Sequence, residues 1–356
     1  MSLMQSKQEP GNLEERVLDA LRQVTTGDDD PDIVASGQVY DVVATGGAIR
    51  VLLDTERIPQ GGEEALAELI SPYVESLPGV QRVVVKPRPR SIARQARLPG
   101  IERVIGIHSG KGGVGKSTIT INLAVTLAQM GYRVGVLDAD VYGPSCPSLL
   151  GIGGRAEMSE QGDRIEPRER FGVRLMSLGM LLPAGQALIW RGSLVDQGVP
   201  QLINDVAWGA LDLLLVDLPP GTSDVHLAVA EHASLDGIVT VTAPGQISVD
   251  DVRRGMEMFA DLQIPCLGLV QNMDGVACMH CGEVAQLFGG KGAEALAEET
   301  GIPLLATIPF TPAVAVQSDL GEPVAAQEEH SPVNEHFAQL ANRLAEALSI
   351  KSEAIS

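Results

Sequence analysis

The sequence predicts an α/β protein in which a mostly parallel sheet is flanked by helices, joined to a small N-terminal α+β domain. Three observations carry this reading. From Ile101 onward, short apolar β-branched runs alternate with helical periodicity, the pattern of a parallel sheet covered on both faces. A glycine-rich stretch, Gly110 to Ser117, sits between the first of those runs and the first helical pattern. Before about residue 87 the order changes to α-β-β-α-β, which makes a separate mixed sheet. At 356 residues, the length itself suggests about two domains. The expected divisions are 12–86 for the small domain, 87–100 for a linker and 101–349 for the large domain.

The small domain opens on a helical face of Leu13, Val17, Leu21 and Val24. Gly27-Asp28-Asp29-Asp30-Pro31 is a turn. Strands are expected over Ile33 to Ala44 and Ala48 to Leu53, parted by Thr45-Gly46-Gly47. A second helix spans about Gly62 to Glu75, and a strand over Val80 to Lys86 closes the unit. From Lys86 to Gly100 the chain carries five basic residues and no acidic one, with three prolines, and reads as an exposed tether.

The large domain begins with the buried strand Arg103 to Ile107. Gly110-Lys111-Gly112-Gly113-Val114-Gly115-Lys116-Ser117 then fits G-x-x-x-x-G-K-[ST], and Thr118 follows it. A helix with Ile119, Leu123, Leu127 and Met130 on one face runs to Gly131. This context is what a phosphate cradle requires. Backbone N–H groups and the positive helix end face an anion, and glycines let the backbone approach it. Lys116 is placed to reach the β- and γ-phosphates and the Ser117 hydroxyl to ligate Mg²⁺. Further strands are expected over Arg133 to Leu137, Leu213 to Val216, Gly237 to Thr242, Cys266 to Val270 and Leu304 to Ile308. An amphipathic helix from Pro332 to Leu348 closes the domain.

Acidic residues stand at the strand tips, where open α/β sheets bind ligands. Asp138 and Asp140 follow the second strand of this domain, and Asp217 ends Leu213-Leu214-Leu215-Val216-Asp217. Asp217 fits the acid that holds Mg²⁺ through water beside a phosphate loop. Pro219-Pro220-Gly221-Thr222 makes a stiff loop placed to sense a γ-phosphate. His108, just ahead of the glycine loop, reads as a packing residue.

Cys278-Met279-His280-Cys281 is the second strong signal. C-x-x-C brings two thiolates to one metal centre. A redox dithiol calls for a thioredoxin-like context that is missing here, and a zinc site calls for four ligands where the chain has a single C-x-x-C. Two thiols are half a site. Two copies of the chain would complete a four-thiolate site suited to a [4Fe–4S] cluster. Cys266 reads as a small core residue, and Cys146 has no assigned role.

Composition narrows the function classes. A net charge of −20 argues against general binding to nucleic acid or to an anionic membrane. No apolar run approaches the roughly 18 residues of a membrane span, and Met1 to Lys7 lacks a signal-peptide core, so a cytoplasmic protein is expected.

The glycine loop with its extra lysine, Gly110 to Thr118, resembles the deviant Walker A motif of the MinD/ParA/nitrogenase-iron-protein class of P-loop NTPases. Asp138 to Ser145, Trp190-Arg191-Gly192, Asp217 to Thr222 and Cys278 to Cys281 together resemble the Mrp/ApbC iron–sulfur carriers, and residues 12–86 resemble a small iron–sulfur assembly domain. The resemblance implies a homodimeric ATP hydrolase that carries a labile cluster from donor to acceptor proteins. It implies that Lys111 reaches the partner's nucleotide, that Asp140 positions or activates the attacking water, and that Asp138 and Asp217 lie near Mg²⁺. It also implies that Asn272 bonds adenine and that Cys278 and Cys281 bridge the cluster. The absence of cysteine from the N-terminal domain points that domain to partner docking rather than cluster ligation. A MinD/ParA-like positioning switch would need a basic amphipathic tail or a basic patch, and the tail from Ala345 to Glu353 is not basic. A scaffold that binds nucleotide without turnover is separated from the enzyme by measured hydrolysis.

Overall fold

The computed structural model describes residues 13–27, 31–45, 47–54, 57–58, 62–87, 97–141, 143–159, 162–181, 193–277, 284–285, 292–327 and 331–350. Cys278, Cys281, Trp190 and Arg191 therefore lie outside the described residues. The chain divides into two compact units, 1–90 and 91–356.

The first unit contains α1 (Leu13–Leu21), β1 (Val39–Thr45), β2 (Ala48–Leu53), α2 (Glu63–Glu75) and β3 (Arg82–Pro87). Its sheet has the order β1-β2-β3, antiparallel on one side and parallel on the other, which is the mixed sheet expected. Apolar residues of both helices, Val17, Leu21, Leu66, Ile70 and Val74, share a core with Val42, Ile49, Val51 and Leu53. The first strand starts later than its apolar residues suggest. The Asp32 carboxylate accepts the N–H groups of Val34 (3.0 Å) and Ala35 (2.8 Å), so residues 32–37 form a turn and pairing begins at Val39.

The second unit runs β4 (Ile101–Ser109), α3 (Lys116–Gln129), β5 (Val134–Asp138), α4 (Cys146–Leu149), β6 (Glu157–Met158), β7 (Ile165–Glu166), β8 (Arg168–Arg170) and β9 (Val173–Ser177). It continues with α5 (Ser193–Asn204), β10 (Leu211–Asp217), α6 (Asp224–His232), β11 (Gly237–Thr242), α7 (Gln246–Asp261) and β12 (Cys266–Ala277). The last elements are β13 (Val284–Ala285), α8 (Gly292–Thr300), β14 (Leu304–Phe310), α9 (Pro312–Leu320) and α10 (Pro332–Leu348). The main sheet has the order β13-β12-β11-β4-β10-β5-β9-β8, with β14 also paired to β12. Its pairs are parallel except at β12–β13 and β8–β9.

Strands in such a sheet are buried on both faces, and β5 and β11 are buried along their whole lengths. Helix α3 lies against one face within a cluster that also takes in Phe337, Leu340 and Leu344 of α10. The other face packs Val225 and Val229 of α6, Val199 and Leu202 of α5, and Phe259 of α7. Strand order reverses direction around β4, so the loops after β4, β5 and β10 open at one carboxyl edge. Among the described residues, no helix is long and apolar enough to cross a membrane.

Candidate functional site

The glycine loop joins β4 to α3. Gly113 (φ 82°) and Gly115 (φ 83°) both take the left-handed conformation that L side chains avoid. At Gly115 the space is also closed: an added Cβ would stand 2.3 Å from Asn272 Nδ2. Loop and strand meet there because Asn272 Nδ2 donates to the Val114 carbonyl at 2.9 Å.

Lys116 begins α3 and is buried. Its Nζ lies 2.7 Å from Asp217 Oδ2. Ser117 Oγ donates to the same oxygen at 2.6 Å, and Thr120 Oγ1 donates to Asp217 Oδ1 at 2.6 Å. Asp217, at the end of β10, is thus met by an ammonium and two hydroxyls. Burial alone would depress the Lys116 pKa, but the Asp217 charge and hydrogen bond outweigh it and hold the ammonium above the ordinary lysine range.

Asp138 ends β5 directly beside Asp217 in register. It accepts the N–H groups of Asp140 and Cys146 and the Ser177 hydroxyl, each at 3.2 Å. Burial, and then the neighbouring Asp217 charge, push its carboxyl up to about 8. Burial followed by the Asp138 and Asp217 charges also pushes the Cys146 thiol up, which makes it an inert thiol. Asp138, Cys146 and Asp217 offer ligand atoms within 4.8 Å of one another. With Asp138 and Cys146 holding their protons, Lys116 balances the Asp217 carboxylate, so a divalent cation bound here would displace the Asp138 proton.

Asp140 is half-buried and accepts the Gly143 N–H at 3.2 Å. Lys111 is half-buried and pairs within its own chain, Nζ to Asp251 Oδ2 at 3.0 Å. A cavity of about 290 Å³ opens beside Gly115 and Thr118, lined also by Asn272, Met273, Phe310 and Val314. Gly110, Lys111, Gly112, Gly113, Val114, Gly115, Lys116, Ser117, Thr118, Asp138, Asp140, Asp217 and Asn272 thus gather at one carboxyl edge of the sheet. Cys278 follows directly on Ala277, the last residue of β12, whose Asn272 touches the loop.

Sequence reasoning missed Thr120, Ser177 and Asp251. Thr120 was detectable, since it stands one helical turn after Lys116 on the face that meets β10. Ser177 and Asp251 carry no local signal, because long-range pairing of β9 and α7 brings them in.

The fold and site define a nucleotide-binding P-loop protein of the α/β class. Residues 100–345 match the family described as ParA: NUBPL iron-transfer P-loop NTPase, and the chain belongs to that family. It is 35% identical over 360 residues to an iron–sulfur cluster carrier protein of Aquifex aeolicus, covering 94% of this chain and 98% of that one. A solved nucleotide-binding protein of Archaeoglobus fulgidus in complex with ADP is 37% identical and superposes with a TM-score of 0.59, covering 70% of this chain and 98% of that one. The septum site-determining protein MinD of Pyrococcus horikoshii has the same fold, at 23% identity and a TM-score of 0.53 over 71% of this chain and 99% of its own.

Proposed function

We propose that this chain is a cytoplasmic, ATP-dependent carrier that binds a labile [4Fe–4S] cluster across a homodimer and passes it to apoproteins. The observation that carries the nucleotide half is the meeting of Lys116, Ser117 and Thr120 on Asp217 beneath the glycine loop. The cargo half rests on Cys278 and Cys281 together with the naming of the relatives.

In this reading ATP phosphates lie in the cradle from Gly110 to Thr118 and replace Asp217 as the partner of Lys116. Mg²⁺, when bound, neutralises charge on the phosphates. Ser117 would ligate it, and Asp138 and Asp217 would hold it through water or directly. Asn272 and the adjoining cavity receive the adenine. Asp140, poised at the cradle's rim, orients the attacking water. Lys111 leaves Asp251 and reaches the nucleotide of the partner subunit. Two thiolates from each copy hold the cargo, so nucleotide-driven tightening and relaxation of the dimer alter how firmly it is held.

The test is anaerobic reconstitution with iron and sulfide, followed by absorption spectroscopy and mass in solution. The expected species is brown and twice the chain mass, and it is lost in Cys278→Ala. ATP turnover is expected in the wild type and not in Lys116→Ala. Equal cluster transfer to an acceptor from ATP- and ADP-bound forms would overturn the coupling.

A further inference from the structure

Two buried histidines stand outside the phosphate cradle and grip the loop that faces it. His108 is the penultimate residue of β4 and His226 lies in the first turn of α6. Both are fully buried. Their rings meet edge to face with centroids 5.7 Å apart, and both pack on Phe259 of α7, at 5.4 Å and 5.9 Å. Gly255 makes room for them: a Cβ at that position would stand 2.1 Å from His108 Cε1.

Each ring holds the segment after Asp217. His108 Nε2 lies 3.2 Å from the Gly221 carbonyl. A carbonyl only accepts, so this nitrogen is assigned the proton. His226 Nδ1 accepts the Ser223 N–H at 3.1 Å, which places its proton on Nε2. The Gly221 N–H donates to the Ser109 carbonyl at 2.8 Å. The segment is therefore fastened to β4 at Gly221 and to α6 at Ser223. Its Pro220 ring lies 3.8 Å from where a Cβ of Gly112 would stand, and the Gly110 carbonyl lies equally far from where a Cβ of Gly221 would stand. Burial lowers His226 to about 4, while burial and then the neighbouring His226 lower His108 to about 3. Both rings stay neutral at physiological pH, which preserves one donor and one acceptor in fixed places.

We propose that His108 and His226 are positioning residues for nucleotide hydrolysis: their stacked rings hold the Pro219–Ser223 segment against the glycine loop, where a terminal phosphate is sensed. The proposal rests on the ATPase reading above. The histidines act through the segment, not on the phosphate.

The experiment uses the full chain. His108→Leu and His226→Leu remove the polar grip and keep an apolar side chain. His108→Gln restores a donor at similar reach, and His226→Gln restores an acceptor, since glutamine at the third helical position caps a serine-started helix. The leucine variants are expected to lose about tenfold or more in kcat with KM and ADP affinity unchanged. They are also expected to show faster amide exchange across 218–224 in the nucleotide-free state, and the glutamine variants to recover most of both. Gly255→Ala, which displaces the His108 ring by contact alone, is expected to give the same signature and serves if a leucine variant does not fold. Folded variants with wild-type kcat, or with unchanged exchange across 218–224, would overturn the proposal. A wild-type chain without ATP turnover would instead sink the ATPase reading, and the exchange measurement would then decide the grip alone.

Discussion

Two carboxylates and one ammonium meet at the strand tips, and their imbalance has a measurable consequence. Asp138 keeps its proton up to about 8 in the folded chain, against an ordinary value of 3.8, chiefly because it is buried and then because Asp217 is beside it. The folded state binds that proton and the unfolded state does not, so stability falls as pH rises through this window. His108 and His226 slope the other way. They charge at about 3 and about 4 when folded and near 6.5 when unfolded, so their contribution is lost as pH falls below about 6.5. Of these three residues, only Asp138 slopes between about pH 6.5 and 8, by roughly 1.4 kcal/mol per pH unit. Urea unfolding of the nucleotide-free protein is expected to show that decline, and Asp138→Asn to flatten it. A variant with the parent's slope would mean that Asp138 is ionised at neutral pH.

Helix α10 shows how an element's own pattern fixes its place. Val333, Phe337, Leu340, Ala341 and Leu344 are buried along one face, and Phe337 also lines the cavity beside the glycine loop. Phe337→Ala is expected to cost about 3–5 kcal/mol, read as a lowered thermal midpoint. Near-wild-type stability would mean that α10 is not part of the core. This helix was legible in the sequence to the residue, as was β11, because a 3.6-residue stripe and a short apolar run need only local information. The strand and helix on either side of the glycine loop were legible for the same reason. What was not legible depends on distant partners. Strand β12 runs on to Ala277, past the apolar run that ends at Val270, because the strand bulges between Asn272 and Val276 while it stays paired with β14. Met273 takes a left-handed φ of 59° at that bulge. Strand β9 was missed because its place comes from parallel pairing with β5, and with it went the Ser177 bond to Asp138.

At the scale of the molecule, the proposed dimer turns on Lys111. Its pair with Asp251 joins a 40% exposed cation to a carboxylate that Arg254 also contacts at 3.0 Å. Exposed pairs contribute about 0–1 kcal/mol, so the contact yields readily to a nucleotide phosphate. Lys111→Ala is expected to abolish ATP-dependent dimerisation in sedimentation, and Asp251→Asn to change its constant by no more than about fivefold. Full ATP-dependent dimerisation of Lys111→Ala would remove Lys111 from the interface. The two units of one chain give a separate test, because each has its own apolar core. Both tryptophans, Trp190 and Trp208, belong to the second unit, so their fluorescence follows that unit while circular dichroism follows both. Ile70 is fully buried in the core of the first unit, and Ile70→Ala is expected to cost that unit about 2–5 kcal/mol. The dichroism melt should then gain an early phase while the fluorescence midpoint and ADP affinity stay where they were. A fluorescence midpoint that falls with the early phase would show that the two cores unfold as one, and the first unit would then be part of what keeps the nucleotide site folded.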